Sequence, residues 1–245
     1  MSFPVISGLP FLKSTLRPLV EFIYPPTCFA CETFIKNGES RVCPSCWSTI
    51  KPVTSNDLLY QEMSHRLTEG RHISHLLSLF HFEKDGTLQS ILHQLKYNGS
   101  TSLGVELGRR LGEKLRIEFP DHSIDGIVPV PLHSTKLRER GYNQSEHIAK
   151  GIREMTGIPV LPSLLRRHKY TTTQTQLSAT ERKENVGDAF SVNKRYLLDL
   201  EGKTFLIVDD VITTGATIEA CAEVLMGSGA RSIVAGSVGI ADHSV

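Results

Sequence analysis

One stretch, residues 205–217, limits the possible folds more than any other part of the chain. It opens with four apolar residues, 205–208, without the polar alternation of a half-exposed strand. Such a run is typical of a strand buried on both faces of a parallel sheet. The acids Asp209 and Asp210 follow at once, and apolar residues at helical spacing begin at Ile218. We therefore predict a strand, a polar loop and a helix, with the acids at the carboxyl end of the strand.

The predicted loop consists of small and hydroxyl-bearing residues. In order, they are Thr213, Thr214, Gly215, Ala216 and Thr217. A helix start carries unpaired N–H groups and partial positive charge, which attract phosphate. The threonine hydroxyls add donors, and glycine lets the backbone approach a phosphate closely. The pattern predicts a phosphate-binding loop, but not a Walker loop, because the Gly-Lys-Ser/Thr ending is absent.

The two carboxylates complement such a loop. Carboxylates accept hydrogen bonds from sugar hydroxyls and hold Mg²⁺ directly or through water. We therefore expect a sugar phosphate whose phosphate lies on the loop and whose ribose diol meets Asp209 and Asp210. The alternative is an ordinary strand end before a threonine-rich helix start, in which the order of these residues is a coincidence.

Residues 208–217, Val-Asp-Asp-Val-Ile-Thr-Thr-Gly-Ala-Thr, resemble the motif with which type I phosphoribosyltransferases bind phosphoribosyl diphosphate (PRPP). The resemblance implies that Asp209 and Asp210 contact the ribose hydroxyls. It implies that the 5′-phosphate is held by Thr213, Thr214, Gly215, Ala216 and Thr217. It also implies an α/β fold with a mostly parallel sheet flanked by helices.

Four of the five cysteines form two pairs near the N-terminus. Cys28 and Cys31 make one Cys-x-x-Cys knuckle, and Cys43 and Cys46 make a second after eleven intervening residues. Four thiolates at this spacing favour a structural Zn²⁺ site, because four sulfur ligands leave no open position for catalysis. Disulfides are the alternative, which a cytoplasmic setting disfavours. Cys221 follows the polar loop on the apolar side of a helix, and we expect it to be buried.

Basic residues near the predicted sheet edge are candidates for the pyrophosphate side of the ligand. A strand in residues 124–133 runs into a Pro-rich turn and a basic loop, at the same kind of edge as Asp209. Residues 166–187 contain almost no apolar side chains, and a loop of this length is typical of a lid or flap. The alternative for both segments is a solvated run of charge. The basic candidates are Lys96, Lys136, Arg138, Arg140, Arg182 and Lys183.

The hydrophobic periodicity of the other segments predicts how the chain is divided into domains. Residues 1–54 contain an amphipathic helix over 11–24 and the four-cysteine unit. Residues 55–75 are polar and weakly patterned, and we interpret them as a linker or short helix. Residues 76–245 form the α/β domain. Its further predicted elements are helices over 87–97 and 103–117 and strands over 76–82, 159–165, 189–192 and 232–240.

Composition narrows the classes of function. The formal net charge is +1, and charges of both signs are interspersed, so bulk charge does not indicate nucleic-acid or membrane binding. No apolar run approaches the roughly 20 residues of a membrane span. The N-terminus lacks the basic start and cleavage site of a signal peptide. We expect a cytoplasmic protein without membrane insertion.

Three features together resemble the ComF family, which includes GntX. They are the two cysteine knuckles, the stretch from residues 130–133 to residues 140–144, and the PRPP motif. The resemblance covers about residues 15–240 and implies a double zinc ribbon before a phosphoribosyltransferase-like domain. The family is linked to DNA uptake in naturally competent bacteria, and its substrates are poorly defined.

The resemblance leads to two main hypotheses. In the first, the chain is a phosphoribosyltransferase that binds PRPP with Mg²⁺, uses Asp209, Asp210 and Arg140 in catalysis, and transfers phosphoribosyl to an unknown acceptor. In the second, it is a non-catalytic PRPP- or nucleotide-binding module that contacts single-stranded DNA or a DNA-uptake helicase. A PRPP-sensing regulator is a third class, for which we find no helix-turn-helix pattern. Neither the acceptor nor the oligomeric state is visible in the sequence.

Overall fold

The computed structural model describes the chain in five segments, residues 26–35, 40–70, 72–120, 123–168 and 189–242. The helix expected over residues 11–24 lies outside the described residues, as do Arg182 and Lys183. The chain divides into two units, Met1–Ser48 and Thr49–Val245. Each unit is described by itself.

The described part of the smaller unit is a hairpin followed by a short helix. Thr27 and Phe34 form an antiparallel bridge that closes a turn around the first cysteine pair. The second pair lies at the start of helix α1, Pro44–Thr49. The indole N–H of Trp47 donates to Ser40 Oγ at 3.1 Å, which ties the helix to the segment between the pairs.

The larger unit is built on a four-stranded parallel sheet. In chain order its strands are β1 (Ile73–Phe82), β2 (Gly126–Pro129), β3 (Leu165–Arg167), β4 (Phe190–Val192), β5 (Thr204–Ile212) and β6 (Ser232–Ala241). The sheet has the spatial order β1-β6-β5-β2, and every neighbouring pair is parallel. Strands β3 and β4 form a separate antiparallel pair. The predicted α/β class with a mostly parallel sheet is confirmed.

One helix of the larger unit precedes β1 in the sequence, and the others lie between these strands. They are α2 (Leu58–Glu69), α3 (Thr87–Tyr97), α4 (Thr101–Glu118), α5 (Ser134–Arg140), α6 (Gln144–Thr156) and α7 (Ala216–Met226), with a 3₁₀ helix over Lys194–Asp199. None of the helices in the described segments combines the length and the apolar character that crossing a membrane requires.

Helices α4 and α6 approach each other through glycines. A Cβ on Gly108 would lie 2.0 Å from the carbonyl oxygen of Ile148, and one on Gly151 would lie 2.1 Å from that of Val105. Only glycine fits these positions, so the two helices pack closely against each other. Helix α6 also contacts β2 and β5, so this packing fixes its amino end near the sheet.

Residues 55–75, interpreted as a linker or short helix, contain the whole of α2 and the start of β1. Met63 and Leu67 of α2 are each 1% exposed and belong to the core of the larger unit. The apolar face of this helix is narrow, which explains why its periodicity was weak. The smaller unit ends at Ser48, and the domain boundary after residue 54 stays a prediction.

Two further segments differ from the prediction. The basic segment before α6 is not a loop but the short helix α5, which ends at Gly141 with a left-handed φ of 79°. The edge strand expected over residues 159–165 is reduced to a single bridge between Ile127 and Val160. Pro159 and Pro162 lack a backbone N–H, which limits the ladder that this segment can form.

Strand β5 is longer than the apolar run suggested. It continues past the two acids to Ile212, and Asp209 pairs in register with Ser237 of β6. The acids therefore lie in the last part of the strand, and the polar loop begins at Thr213.

Candidate functional site

The acid pair lies near the carboxyl end of the central strand β5. Successive side chains of a strand point to opposite faces, so the two carboxylates meet different surroundings. Asp210 is only 5% exposed, whereas Asp209 is half-buried. The contacts of the two acids differ accordingly.

Lys96, in the last turn of α3, neutralises Asp210. Its Nζ lies 2.5 Å from Asp210 Oδ2, and the two side chains are 28% and 8% exposed. Burial would raise the pKa of Asp210, but the charge and hydrogen bond of Lys96 outweigh it and hold that pKa below its usual value. Burial likewise opposes the charge of Lys96, but Asp210 outweighs it and raises the pKa of the lysine. The two residues form a buried ion pair.

Asp209 is held by hydrogen bonds instead. Its Oδ1 accepts from Ser145 Oγ at 3.1 Å and from the backbone N–H of Asp210 at 2.9 Å. Burial raises the pKa of Asp209 well above its usual value, and the negative charge of Asp210 acts in the same direction. The pair is therefore asymmetric, with one firmly ionised carboxylate and one that takes up a proton more easily.

The amino end of α6 orients both carboxylates. Gln144 Nε2 donates to Asp210 Oδ1 at 3.5 Å, next to the bond between Ser145 and the other acid. Asn143 caps the helix by accepting from the N–H of Ser145 at 3.1 Å, and its amide donates to the carbonyl of Val130 at 3.0 Å. Asn143, Gln144 and Ser145 are all buried. Because buried polar groups need partners, these contacts fix the helix start against the acids.

Arg140 joins the same network from the end of α5. Its guanidinium donates to Gln144 Oε1, and its Cζ lies 5.4 Å from the centroid of the Tyr97 ring. The amide of Gln144 therefore links Arg140 to Asp210. Lys96 forms its ion pair with the same carboxylate. Tyr97 is 65% exposed and marks the solvent side of this network.

The other two basic residues of α5 lie further out. Arg138 is exposed and Lys136 is half-buried. Within the described segments, neither forms a hydrogen bond or an ion pair with Asp209 or Asp210. The structure thus brings Lys96 and Arg140 to the acids, and leaves Lys136 and Arg138 on the adjacent surface.

The polar loop over residues 213–217 connects β5 to α7. Gly215 precedes the first residue of α7 and has a left-handed φ of 79°. Thr214 Oγ1 accepts from the N–H of Ala216 at 3.4 Å. A Cβ on Gly215 would lie 2.6 Å from Cδ2 of Leu67. Both the φ angle and this contact require glycine here.

Helix α2 supports the loop. Arg66 Nη2 donates to the carbonyl of Thr213 at 3.3 Å. The next residue of the helix, Leu67, packs against Gly215. The segment for which the sequence indicated no function therefore fixes the position of the predicted phosphate loop.

Arg167 of β3 is a further half-buried cation of this region, with its Cζ 5.3 Å from the centroid of the Phe190 ring. Burial lowers the pKa of Arg167, whereas Cys221 and Asp209 act in the opposite direction. Cys221 is fully buried on α7, as expected, and burial raises the pKa of its thiol.

The four thiols of the smaller unit meet at one point. All four Sγ atoms lie within 4.8 Å of one another, and those of Cys31 and Cys43 are 3.7 Å apart. A tetrahedron with Zn–S bonds of about 2.3 Å separates its sulfur atoms by about 3.8 Å. The N–H groups of Cys43 and Cys46 donate to Cys28 Sγ at 3.3 Å and Cys43 Sγ at 3.4 Å. All four are free cysteines, so the geometry fits a metal rather than disulfides.

Hydrogen bonds also favour the thiolate form that binds metal. The side chain and backbone of Thr33 lower the pKa of Cys31 to about 6. Burial and the neighbouring cysteines raise the pKa of Cys46, because thiolates so close together repel each other. A cation at the centre of the cluster removes that repulsion.

Comparison with known proteins matches both units. Residues 140–242 match the model of the phosphoribosyl transferase domain, and residues 19–57 match that of the double zinc ribbon domain. Competence protein F of Haemophilus influenzae is 27% identical over 218 residues, which cover 84% of this chain and 93% of that protein. One alignment thus spans nearly the whole of a competence protein. The chain is therefore similar to a competence protein over most of its length.

Another relative matches over a shorter span. The DNA utilization protein YhgH of Salmonella typhi is 33% identical over 149 residues, which cover 60% of this chain and 64% of that protein. The chain therefore matches less than two thirds of the length of that relative. Among solved structures, adenine phosphoribosyltransferase from Saccharomyces cerevisiae is 16% identical, with a TM-score of 0.38 and coverage of 62% of this chain and 72% of that one.

The structure places residues at the acid pair to which the sequence had given no role there. Gln144 is the last residue of the stretch 140–144 that carries the family resemblance, but the sequence gave it no role. Ser145 was not a candidate at all. Both follow a basic segment at the start of a helix, which is the signal that could have drawn attention to them. Lys96 had been only one of several basic candidates, yet it makes the shortest contact to an acid.

Proposed function

We propose that this protein binds PRPP together with Mg²⁺ at the carboxyl edge of its parallel sheet. The observation that carries the proposal is a single connected network. Asp209 and Asp210 precede a glycine-containing helix start, and Lys96 and Arg140 join the acids directly and through Gln144. Acids, phosphate loop and cations are the three groups that a phosphorylated sugar diphosphate requires.

In this proposal each part of PRPP meets a different part of the network. The 5′-phosphate lies on residues 213–217, where helix N–H groups and threonine hydroxyls donate. The ribose diol meets Asp209 and Asp210. The pyrophosphate lies toward Lys96 and Arg140, with Lys136 and Arg138 further out. Arg182 stays a candidate from the sequence alone, since it lies outside the described residues. Charged donors suit this anion.

The acid pair also fits the metal. Carboxylate oxygens are preferred ligands of Mg²⁺, which keeps several waters and binds through one or two carboxylates plus substrate phosphates. When bound with PRPP, Mg²⁺ offsets negative charge on the leaving pyrophosphate. The residues proposed to hold it are Asp209 and Asp210.

We further propose that the protein transfers the phosphoribosyl group. The bond from C1 to pyrophosphate breaks with its electron pair on the pyrophosphate, and the acceptor forms a new bond to C1. Lys96 and Arg140 stabilise the departing charge. The acceptor proton passes to water as the new bond forms, because Asp209 and Asp210 are occupied by the ribose diol and the metal.

For the smaller unit, we propose one structural Zn²⁺ held by Cys28, Cys31, Cys43 and Cys46. The convergence of four free thiols within 4.8 Å supports this assignment. With four protein ligands, such a zinc fixes a fold and takes no part in the transfer.

A non-catalytic role is the second candidate. In it, the protein holds PRPP or a nucleotide while it contacts single-stranded DNA or a DNA-uptake helicase. The names of the relatives support a role in DNA uptake or utilization. The exposed Tyr97 beside Arg140 also supports it, because aromatic rings and cations together bind single strands.

Calorimetric titration of the full chain with PRPP and Mg²⁺ tests the proposal. We expect saturable binding to the wild type and at least about a 100-fold loss of affinity in Asp209→Asn/Asp210→Asn, since two charged acceptors are lost. If that variant bound PRPP as tightly as the wild type, Asp209 and Asp210 would not be part of the binding site. Pyrophosphate release across a panel of bases then separates transferase from binding module.

A further inference from the structure

Lys96 occupies the carboxylate that the ribose diol is expected to use. Its Nζ lies 2.5 Å from Asp210 Oδ2, and Gln144 donates to the other oxygen at 3.5 Å. Asp210 is 5% exposed, so both of its oxygens face protein donors in a buried setting. A diol that reaches this buried carboxylate therefore competes with the ammonium group of Lys96 for it.

The cost of moving Lys96 depends on what else is present. A buried ammonium group is stable only with a partner, so separation from Asp210 requires another anion nearby. Arg140 lies in the same network through Gln144, and it adds a second positive charge. An anion that enters beside Lys96 and Arg140 therefore stabilises both cations and frees Asp210.

The side chain of Lys96 is built to make this move. It lies one residue before the end of α3 and keeps 28% exposure, in contrast to the 8% of its partner. Four flexible methylene groups let the ammonium shift while the backbone stays in place. Asp210, by contrast, is held by the central strand of the sheet.

We propose that Lys96 is a specificity-determining residue that makes the site select ligands with a pyrophosphate group over ribose 5-phosphate. The inference rests on the proposed PRPP site. PRPP brings the anion that takes Lys96 away from Asp210, and so its diol gains the carboxylate. Ribose 5-phosphate brings no anion at C1, so its diol competes with Lys96 for the same oxygen.

The first experiment measures the dissociation constants of PRPP and ribose 5-phosphate, each with Mg²⁺, for the wild type and for Lys96→Met. We expect Lys96→Met to weaken PRPP binding by about 10-fold or more, the effect of one charge-assisted contact. We expect ribose 5-phosphate binding to stay within about 3-fold or to tighten, because no competitor remains on Asp210. The preference for PRPP over ribose 5-phosphate, measured as the ratio of their dissociation constants, therefore decreases.

Two matched variants test whether charge at this position is the cause. Lys96→Arg keeps the charge and should keep most of the discrimination. Lys150→Met removes an exposed lysine from α6 and should leave both constants unchanged. An equal loss for both ligands in Lys96→Met would show a merely structural role, and an unchanged ratio would also overturn the proposal.

A second measurement uses only the wild type and does not depend on a folded variant. Saturating pyrophosphate with Mg²⁺ should tighten the binding of ribose 5-phosphate by about 3-fold or more, because the added anion takes Lys96 from Asp210. Pyrophosphate that leaves this affinity unchanged or weakens it contradicts the inference. If the wild type binds no PRPP at all, the proposed function itself falls, which is a different outcome.

Discussion

The two units of this protein solve the same electrostatic problem in different ways. Each brings acidic groups close together, four thiols within 4.8 Å in the smaller unit and two adjacent carboxylates in the larger. Around the thiols, the chain supplies backbone N–H groups and a threonine hydroxyl. Beside the carboxylates it supplies a full positive charge, the ammonium group of Lys96.

This difference separates a site for a permanent ligand from a site for an exchangeable one. Four thiolates without a cation repel each other, and their repulsion ends only when a metal enters and stays. The acid pair is already neutralised in part by Lys96, so in the proposed site an incoming ligand replaces this partner of Asp210 by another. The cysteine cluster is suited to structure, and the acid pair to turnover of ligands.

The largest expected effect is on the cysteine cluster. Cys28→Ser/Cys31→Ser should release about one zinc per chain, and with it the roughly 10 kcal/mol or more that binding contributes to folding a small zinc unit. Metal analysis and limited proteolysis should show loss of zinc and cleavage within residues 26–48, with residues 49–242 intact. Cys221→Ala is the control and should keep its zinc. A wild-type protein that contains no zinc contradicts this half of the comparison.

The buried ion pair should give the next largest effect. Lys96→Met leaves Asp210 without its counter-ion, and loss of one partner of a buried pair costs about 3 kcal/mol or more. Adding Asp210→Asn to Lys96→Met removes the stranded charge, so the double variant should recover most of the free energy of unfolding. Denaturant titration of the single and double variants measures this coupling. Additive losses would show that the two residues do not form a pair in solution.

The smallest expected effect is the opposite pH dependence of the two acids. The pKa of Asp209 is raised from an ordinary 3.8 to about 7, so the stability tied to its protonated form is present in acid and is lost as the pH rises through that range. Asp209→Asn has no carboxyl at this position, so it does not lose this stability. The Tm of the variant relative to that of the wild type should therefore rise by about 2 °C or more between pH 4 and 7, the effect of roughly 1 kcal/mol at this size.

Asp210 should behave in the reverse sense. Its pKa is lowered, so it contributes stability above the ordinary value of 3.8 and loses it as the pH falls. The deficit of Asp210→Asn against the wild type should therefore be largest at neutral pH and shrink in acid. Thermal unfolding of both variants over one pH series measures the two trends. Parallel trends would contradict the asymmetry of the pair.

The parts of the fold that follow from strong local patterns were predictable. The apolar run of residues 205–208 indicated a fully buried strand, and α3 covers Thr87–Tyr97 as its periodicity predicted. Glycine at position 215 also follows from its motif, and the structure gives it the expected positive φ. In each case, neighbouring residues alone determine the conformation.

The rest depends on contacts between distant residues. Nothing near Lys96 in the sequence shows that Asp210, on another strand, will be its partner. Helix α2 was hidden because only Met63 and Leu67 form its buried face, and their neighbours on the core come from elsewhere in the chain. The length of β5 beyond Asp209 depends on its ladder with β6. Tertiary pairing thus determined what propensity left open.

Hydrogen–deuterium exchange of the full chain, with and without PRPP and Mg²⁺, tests the central claim most directly. We expect ligand to slow exchange in residues 205–217 and 140–145, because the phosphate loop and the start of α6 both hold the site. We expect no change in residues 26–35 and 40–48. Absence of protection in residues 205–217 at saturating PRPP, or protection confined to the cysteine unit, would contradict the account.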